Sequence, residues 1–303
     1  MQGKSILVVG YGKLGQRIAH TLSNRHDVIA LKRSPIEQDA RVKMCFADVT
    51  YAESVRNALK NAVKGGVDYL IYCLSPNGRS EQAYRDAFLI GLNNVLSNLP
   101  EPEKLKHILF ISSTSVYHQA HAEQVDEQSA CLPSNFSGKV LLEAEAYLRG
   151  LSVQSTCIRF SGIYGGSRSR LIDQVKHALE SGDSLVAGEG YTNRIHEDDC
   201  VGFVCHLIDL LDQNKRIESC YVATDSCPVE LAEVYRFIAS QLDLSSGQQP
   251  TDQKSTMLIN IVTSDSNRRA GSKRCSNTRM KQSGYCLKFD SFKEGYLDAL
   301  RSH

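Results

Sequence analysis

Six short apolar runs in the first half of the chain are interspersed with stretches whose apolar residues recur at three and four. SILVVG (5–10), DVIALKR (27–33), VKMCFAD (42–48), DYLIYCL (68–74), HILFISS (107–113) and VQSTCIRF (153–160) read as strands, and 13–23, 51–63, 79–98 and 136–149 as helices. Runs this continuously apolar suit strands buried on both faces, the mark of a parallel sheet wrapped by helices. The fold class expected is therefore α/β, with a doubly wound parallel sheet. After Phe160 the rhythm changes to a glycine-rich SGIYGGSR, a helix near 169–181, a helix at 199–211, a strand-like CYVAT (220–224) and a helix at 229–240. This divides the chain into a sheet domain of 1–161 with about 199–224, and a smaller C-terminal substrate-binding lobe of about 162–198 and 225–303. Polar SSGQQPTDQKST (245–256) is expected at the surface, and the basic SNRRAGSKRCSNTR (266–279) as a solvated face or a phosphate-contacting edge.

Composition narrows the function classes. A chain of 303 residues with 42% hydrophobic content can bury a full core. Its 35 Lys and Arg against 34 Asp and Glu leave a formal charge of +1, so nothing in the balance asks for nucleic acid or an anionic membrane as partner. The apolar run in MQGKSILVVGYG is too short for a signal sequence or a membrane span, which predicts a cytoplasmic protein whose partner is a small molecule. Ten cysteines, none at C-x-x-C spacing and most inside apolar runs such as those of Cys73 and Cys157, read as reduced thiols. His118 and His121 lack a third ligand nearby, so no metal is expected.

Chemistry enters with GYGKLG. Gly10, Gly12 and Gly15 stand at G-x-G-x-x-G spacing, directly after an apolar strand and at the start of an apolar-periodic helix. In that context backbone N–H groups of Tyr11, Lys13 and Leu14 and the helix N-terminus can hold the pyrophosphate of a dinucleotide, so the sheet is expected to be of Rossmann type. Gly10 makes the tight turn, Gly12 lets phosphate approach the backbone, and Gly15 lets the helix pack on the sheet. The second strand ends in Leu31, Lys32, Arg33 and Ser34 with no carboxylate before Glu37. Lys32 and Arg33 suit a 2′-phosphate, which makes NADP(H) the expected cofactor in preference to NAD(H). Asp48 is expected at the adenine edge, and Leu74, Ser75 and Pro76 along the dinucleotide cleft.

GYGKLG, HILFISSTSVY, SGKVLLEAE, IRFSGIYG and NRIHEDD, in this order, resemble the extended short-chain dehydrogenase/reductase superfamily in its NAD-dependent epimerase/dehydratase branch. The resemblance spans most of the chain. It implies a Ser or Thr, a Tyr and a Lys as catalytic groups: the Tyr exchanges a proton at the substrate oxygen while hydride moves to or from the nicotinamide, and the Lys lowers the Tyr pKa and holds the nicotinamide ribose. The catalytic hydroxyl falls on Ser113, with Thr114 beside it, and Y-x-x-x-K falls on Asn135 to Lys139. The Lys is present and the Tyr is not. Asn135 can hydrogen-bond a substrate carbonyl but has no proton to exchange near neutral pH, so the chain looks like an atypical member of the superfamily. Tyr117 and Tyr164 are the candidates for a replacement acid, Arg194 for a substrate anion or an inter-domain ion pair, and His196 for a structural histidine. The resemblance also allows a homodimer, with 79–98 and 136–149 supplying the paired helices that many relatives use.

Two functional readings stand side by side. One is an NADP(H)-dependent oxidoreductase or isomerase acting on a sugar nucleotide or related carbonyl or alcohol with a non-standard proton donor. The other is a non-catalytic NADP(H)-binding sensor or regulatory protein, to which the absent Tyr points. A hydroxyacid dehydrogenase sharing only the glycine loop would leave FISSTSVY and the Lys139 helix without a role.

Overall fold

Alternating apolar runs and amphipathic stretches form the expected elements in a computed structural model that describes residues 3–36, 39–166, 168–245, 259–264 and 271–301. In chain order these begin with β1 (Ser5–Val9), α1 (Lys13–Leu22), β2 (Asp27–Lys32), β3 (Lys43–Phe46), α2 (Ala52–Ala62) and β4 (Tyr69–Tyr72). A long helix follows as α3 (Glu81–Arg85), a π-helical turn (Asp86–Ile90) and α4 (Gly91–Ser97), then β5 (His107–Ser113), β6 (Glu123–Val125), α5 (Phe136–Arg149), β7 (Gln154–Phe160) and β8 (Gly162–Tyr164). Next come α6 (Arg170–Ser181), β9 (Leu185–Gly188), β10 (Tyr191–Thr192), β11 (Arg194–His196), α7 (Glu197–Asp212) and β12 (Cys220–Ala223). The described chain ends with β13 (Val229–Glu230), α8 (Leu231–Ser245), β14 (Ile261–Ser264), β15 (Lys273–Cys275), α9 (Thr278–Gln282) and α10 (Phe292–Arg301).

Seven strands make one parallel sheet in the order β12-β7-β5-β4-β1-β2-β3. Read from β3 this is the doubly wound order, with its reversal between β1 and β4. Ile6, Leu7, Val8 and Val9 of β1 are wholly buried, as are Leu70, Ile71 and Tyr72 of β4, which is why these strands read as unbroken apolar runs. α1 buries Leu14, Ile18, Ala19 and Leu22, the helical stripe seen in the sequence. Between β5, β7 and α5 lies one charged exception. Glu145 is fully buried, accepts from Ser112 Oγ at 2.7 Å, and takes two bonds from the Arg159 guanidinium at 3.0 and 2.6 Å. Bidentate pairing compensates the desolvation of both ions and ties the helix to the strands.

The chain divides into two units. The first holds residues up to Val116, Pro133–Arg159 and Val201–Tyr221; the second holds Tyr117–Leu132, Phe160–Cys200 and the residues from Val222 onward. Tyr117–Leu132 was expected with the sheet domain. It groups with the second unit because β6 pairs in parallel with β15, Glu123 to Lys273 and Val125 to Cys275. The second unit has its own core, in which Ile172 and Val175 of α6, Val234 and Ile238 of α8, and Phe292 and Tyr296 of α10 are at most 2% exposed. Three further short ladders, β8–β11, β9–β14 and β10–β13, edge it. The polar 245–256 stretch, apart from the last residue of α8, and residues 266–270 of the basic run lie outside the described residues. No helix among the described residues is long and apolar enough to cross a membrane.

Candidate functional site

The three glycines of the loop after β1 answer to different demands. Gly10 has φ +102°, and a Cβ there would lie 2.5 Å from the Cys73 carbonyl oxygen. A Cβ on Gly15 would lie 2.0 Å from the Gly10 carbonyl oxygen, so the first turn of α1 can approach the loop only without one. A Cβ on Gly12 would meet nothing within 4 Å. Gly12 is the N-cap of α1, no side chain caps that end, and no acid stands in its first turn. The orphan N–H groups and the positive end of the helix dipole are thus available to an anion.

This loop borders a cleft of about 510 Å³ at the C-terminal ends of the strands flanking the sheet's reversal. Gly10, Tyr11 and Gly12 line it together with Leu31, Lys32, Arg33 and Ser34 after β2. Asp48 and its neighbours Ala47, Val49 and Thr50 line it after β3, and Cys73, Leu74, Ser75, Pro76 and Asn77 after β4. Of the residues named from the sequence, Lys13, Leu14 and Gly15 form the first turn of α1 and are not in its wall; Leu14 is buried, so it can serve only through its backbone. Cys73, read from the sequence as a core thiol, is only half-buried and belongs to the cleft wall.

Asp86 and Ala87 also line the cleft, and the sequence carried no sign of them. They arrive through the π turn. The Gly91 N–H bonds the Asp86 carbonyl five residues back, which leaves the Ala87 carbonyl to accept the Tyr72 hydroxyl at 2.5 Å. A Cβ on Gly91 would stand 2.6 Å from a Val49 methyl and 2.8 Å from the Tyr72 oxygen, so glycine is required where the helix bends over the sheet.

The charged groups of the cleft divide their work. Lys32 Nζ donates to the Tyr11 carbonyl at 3.4 Å, which turns its ammonium back on the glycine loop. Arg33 is exposed at the cleft wall. Asp48 closes a turn, accepting from the Thr50 N–H at 2.9 Å and its hydroxyl at 2.7 Å through one oxygen. Tyr11 is 4% exposed and donates its hydroxyl to Asp39 Oδ2 at 2.6 Å. The same hydroxyl lies 2.8 Å from His20 Nε2, which itself bonds Asp39. Burial and the Asp39 carboxylate raise the Tyr11 pKa, while the Tyr11 hydroxyl, the Arg41 N–H and His20 hold Asp39 well below the usual carboxylate range.

Ser113 ends β5, and its Oγ accepts from the Ser115 N–H at 3.1 Å in the turn that follows. Lys139 stands exposed in the first turn of α5. Gly138 brings these two stretches together, because a Cβ there would lie 2.5 Å from the Ser115 carbonyl oxygen and 2.6 Å from Pro133 Cβ. Asn135, expected at the substrate, is instead the N-cap of α5. Its side-chain oxygen accepts from the Gly138 N–H at 2.8 Å and the Ser137 hydroxyl at 2.7 Å, the use for which asparagine is favoured at that position.

In the second unit the replacement acids fare no better. Tyr117 is 1% exposed and donates to the Asp126 carbonyl at 2.7 Å. Tyr164 is buried between Tyr296, stacked at 4.6 Å, and His196, edge-on at 5.3 Å, and its hydroxyl abuts Gly295. Desolvation raises its pKa far from any proton transfer near neutrality. Both tyrosines, named as candidate acids, are thus buried, Tyr117 with its hydroxyl on a backbone carbonyl and Tyr164 with its hydroxyl against Gly295. Arg194, expected at a substrate anion, is 5% exposed, donates to Thr192 Oγ1 at 2.6 Å and lies over the Phe292 ring at 5.6 Å. His196 is buried, and desolvation lowers its pKa, in keeping with a structural histidine.

Comparison with known proteins agrees with this geometry. A family model described as NAD(P)H-binding matches residues 10–187. A protein of Methylobacillus flagellatus described as an NAD-dependent epimerase/dehydratase is 32% identical, with a TM-score of 0.77 over 99% of this chain and 98% of that one. The UDP-N-acetylglucosamine 4-epimerase of Bacillus cereus shares the fold at 16% identity and a TM-score of 0.72, with 99% of each chain covered. So does the Bordetella bronchiseptica enzyme WbmG, solved with NAD and UDP, at 16% identity and a TM-score of 0.77 over 99% of this chain and 94% of that one. Among curated proteins none matches. A glycine loop that fits a pyrophosphate, a cleft at the sheet's reversal and a family match over more than half the sequence converge on one conclusion: the chain belongs to the NAD(P)H-binding family, within the epimerase/dehydratase branch of the short-chain dehydrogenases/reductases.

Proposed function

We propose that this protein is an NADP(H)-preferring oxidoreductase or isomerase of the epimerase/dehydratase type, acting on a sugar nucleotide or a related carbonyl or alcohol. One observation carries the cofactor preference: the cleft wall after β2 presents Arg33 exposed, with no carboxylate there among the described residues. A guanidinium at that point favours a 2′-phosphate, whereas an NAD site uses an acid to bind the ribose hydroxyl. Ser113 would orient the substrate oxygen, and Lys139 would hold the nicotinamide ribose. The nicotinamide would supply or accept the hydride. The proton donor then has to be something other than the family's Tyr, since Asn135 caps a helix.

That same cap favours the second reading, a non-catalytic NADP(H) sensor, in which Lys139 binds cofactor and nothing turns over. Fluorescence titration with NADPH and NADH, followed by a panel of keto-sugar nucleotides and simple carbonyls, separates the two. Oxidation of bound NADPH that disappears in Ser113→Ala establishes the enzyme; tight binding with no turnover across the panel supports the sensor. Arg33→Asp tests the preference directly, and an unchanged NADPH over NADH ratio in that variant refutes it.

A further inference from the structure

Asp39 returns the chain from the end of β2 toward β3, and it is the carboxylate of that segment that the structure describes. In a cleft built for a 2′-phosphate a nearby carboxylate opposes the ligand, because like charges repel and both resist desolvation. Here two of its partners lie outside the β2–β3 segment. Tyr11, the first variable residue of the glycine loop, and His20, on α1, both bond Asp39 Oδ2, while the Arg41 N–H donates to Oδ1 at 3.0 Å. The Asp39 side chain is only 14% exposed, and neither Asp39 nor His20 lines the cleft, whereas Tyr11 and Arg33 do.

Three elements therefore meet in one small cluster: the phosphate loop, the helix it opens and the segment that follows Arg33. Gly10 adds a backbone tie, its N–H donating to the Leu31 carbonyl at 3.0 Å, and Lys32 Nζ reaches the Tyr11 carbonyl. Each bond runs between the glycine loop or α1 and the chain on either side of Arg33.

We propose that Tyr11, His20 and Asp39 are positioning residues for cofactor discrimination. Together they hold the segment after β2 against the glycine loop, so that Arg33 faces the 2′-phosphate and the Asp39 carboxylate is turned away from it. This rests on the NADP(H) preference proposed above and goes beyond it, since it assigns the preference to groups that need not touch the phosphate. The physical content is preorganisation: a guanidinium held in place loses less freedom on binding than one on an untethered segment. The Tyr11 hydroxyl donates to the Asp39 carboxylate, which stays ionised, and so fixes where that charge sits relative to the dianion.

The test compares Tyr11→Phe, Asp39→Asn and Arg33→Ala with the parent protein, measuring Kd for NADPH, NADH and the fragment 2′,5′-ADP by calorimetry, with thermal melts run alongside. Tyr11→Phe keeps the ring and removes only the hydroxyl. It should weaken NADPH and 2′,5′-ADP by about tenfold, the scale of one charge-assisted contact, and leave NADH within about twofold. The double variant Tyr11→Phe, Arg33→Ala should lose little beyond Arg33→Ala alone, because the hydroxyl acts through the arginine. If Tyr11→Phe and Asp39→Asn weaken NADPH and NADH equally, or change only the melting temperature, the cluster is merely structural and the inference fails while an Arg33 effect still upholds the cofactor preference. If Arg33→Ala itself leaves the NADPH to NADH ratio unchanged, the preference fails first.

Discussion

Asp225 offers the sharpest quantitative test of the second unit. It is 1% exposed, its own N–H donates to the Arg194 carbonyl at 2.8 Å, and its Oδ1 accepts from the Cys227 N–H at 3.1 Å, while Oδ2 has no hydrogen-bond partner among the described residues. Burial dominates and pushes its pKa up from 3.8 to about 7, against the smaller pull of the Cys227 N–H and the Arg194 charge. Below the unfolded value both states hold the proton, and stability is unaffected. Between the unfolded and folded values the unfolded chain gives up the proton and the folded chain keeps it, so stability falls by about 1.4 kcal/mol per pH unit as pH rises. Across the window from 3.8 to about 7 the loss comes to roughly 4 kcal/mol. Asp225→Asn removes the titration and keeps an oxygen for Cys227. Urea denaturation of both proteins from pH 4 to pH 8 should show the variant gaining steadily on the parent up to neutrality, by about 4 kcal/mol in all, and then running parallel to it. Titrating groups remote from Asp225 are present in both proteins and cancel in the difference; Asp199, whose pKa burial also raises, interacts with Asp225 and adds a smaller coupled change. A difference that stays constant across the whole range would refute the argument, for it would mean the carboxyl is ionised in the fold or water reaches it.

Two further perturbations separate packing from binding in the first unit. Gly12→Ala places its Cβ in open space, so the melting temperature should barely move while NADPH affinity falls by about tenfold or more through obstruction of the phosphate; Gly15→Ala, whose Cβ would meet the Gly10 carbonyl, should lower both stability and affinity, and the pair is compared by melts and titration. Glu145→Ala leaves the Arg159 guanidinium buried without its bidentate partner and should cost about 3–5 kcal/mol in urea denaturation; a loss under about 1 kcal/mol would show that water or another group takes over the guanidinium.

How far the sequence carried the fold depended on what each element needs in order to exist. β1, β4, β5 and the helices α1, α2 and α5 were readable within a residue or two because their burial is written in local periodicity: Val8 or Leu70 must be apolar wherever the sheet sits. The ladders β6–β15, β8–β11 and β9–β14 were not readable. Each strand in them has three or four residues, and pairings such as Glu123 with Lys273 or Leu185 with Ile261 join positions far apart in sequence, so their strand character comes from tertiary contact rather than local pattern. The π turn at Asp86–Ile90 was hidden for a related reason. It goes with a tertiary contact, the Tyr72 hydroxyl of β4 on the Ala87 carbonyl, and no run of helical residues announces that.

The candidate site follows the same division. The glycine loop was legible because backbone requirements write themselves into a spacing, and the structure assigns each glycine a different steric reason. The helix-capping role of Asn135 was not. Position 135 is an N-cap, where a side chain turns back to the Gly138 N–H, and asparagine satisfies that need better than tyrosine does. The sequence motif identified the position but could not say that the residue there now answers to the helix. Tyr117, Tyr164 and Arg194 drew attention through their places in the family motifs, and spacing could not show that all three are buried: Tyr117 gives its hydroxyl to a backbone carbonyl, Tyr164 has its hydroxyl against Gly295, and Arg194 stacks on Phe292. A proton donor for any reaction must therefore come from a group that is exposed or that moves with substrate. Ser113, half-buried beside the first turn of α5, and Lys139, exposed on that turn, are the residues named from the sequence that keep such access. Loss of activity in Ser113→Ala with NADPH binding intact would assign the chemistry to this edge of the first unit, and unchanged turnover would move the search away from it.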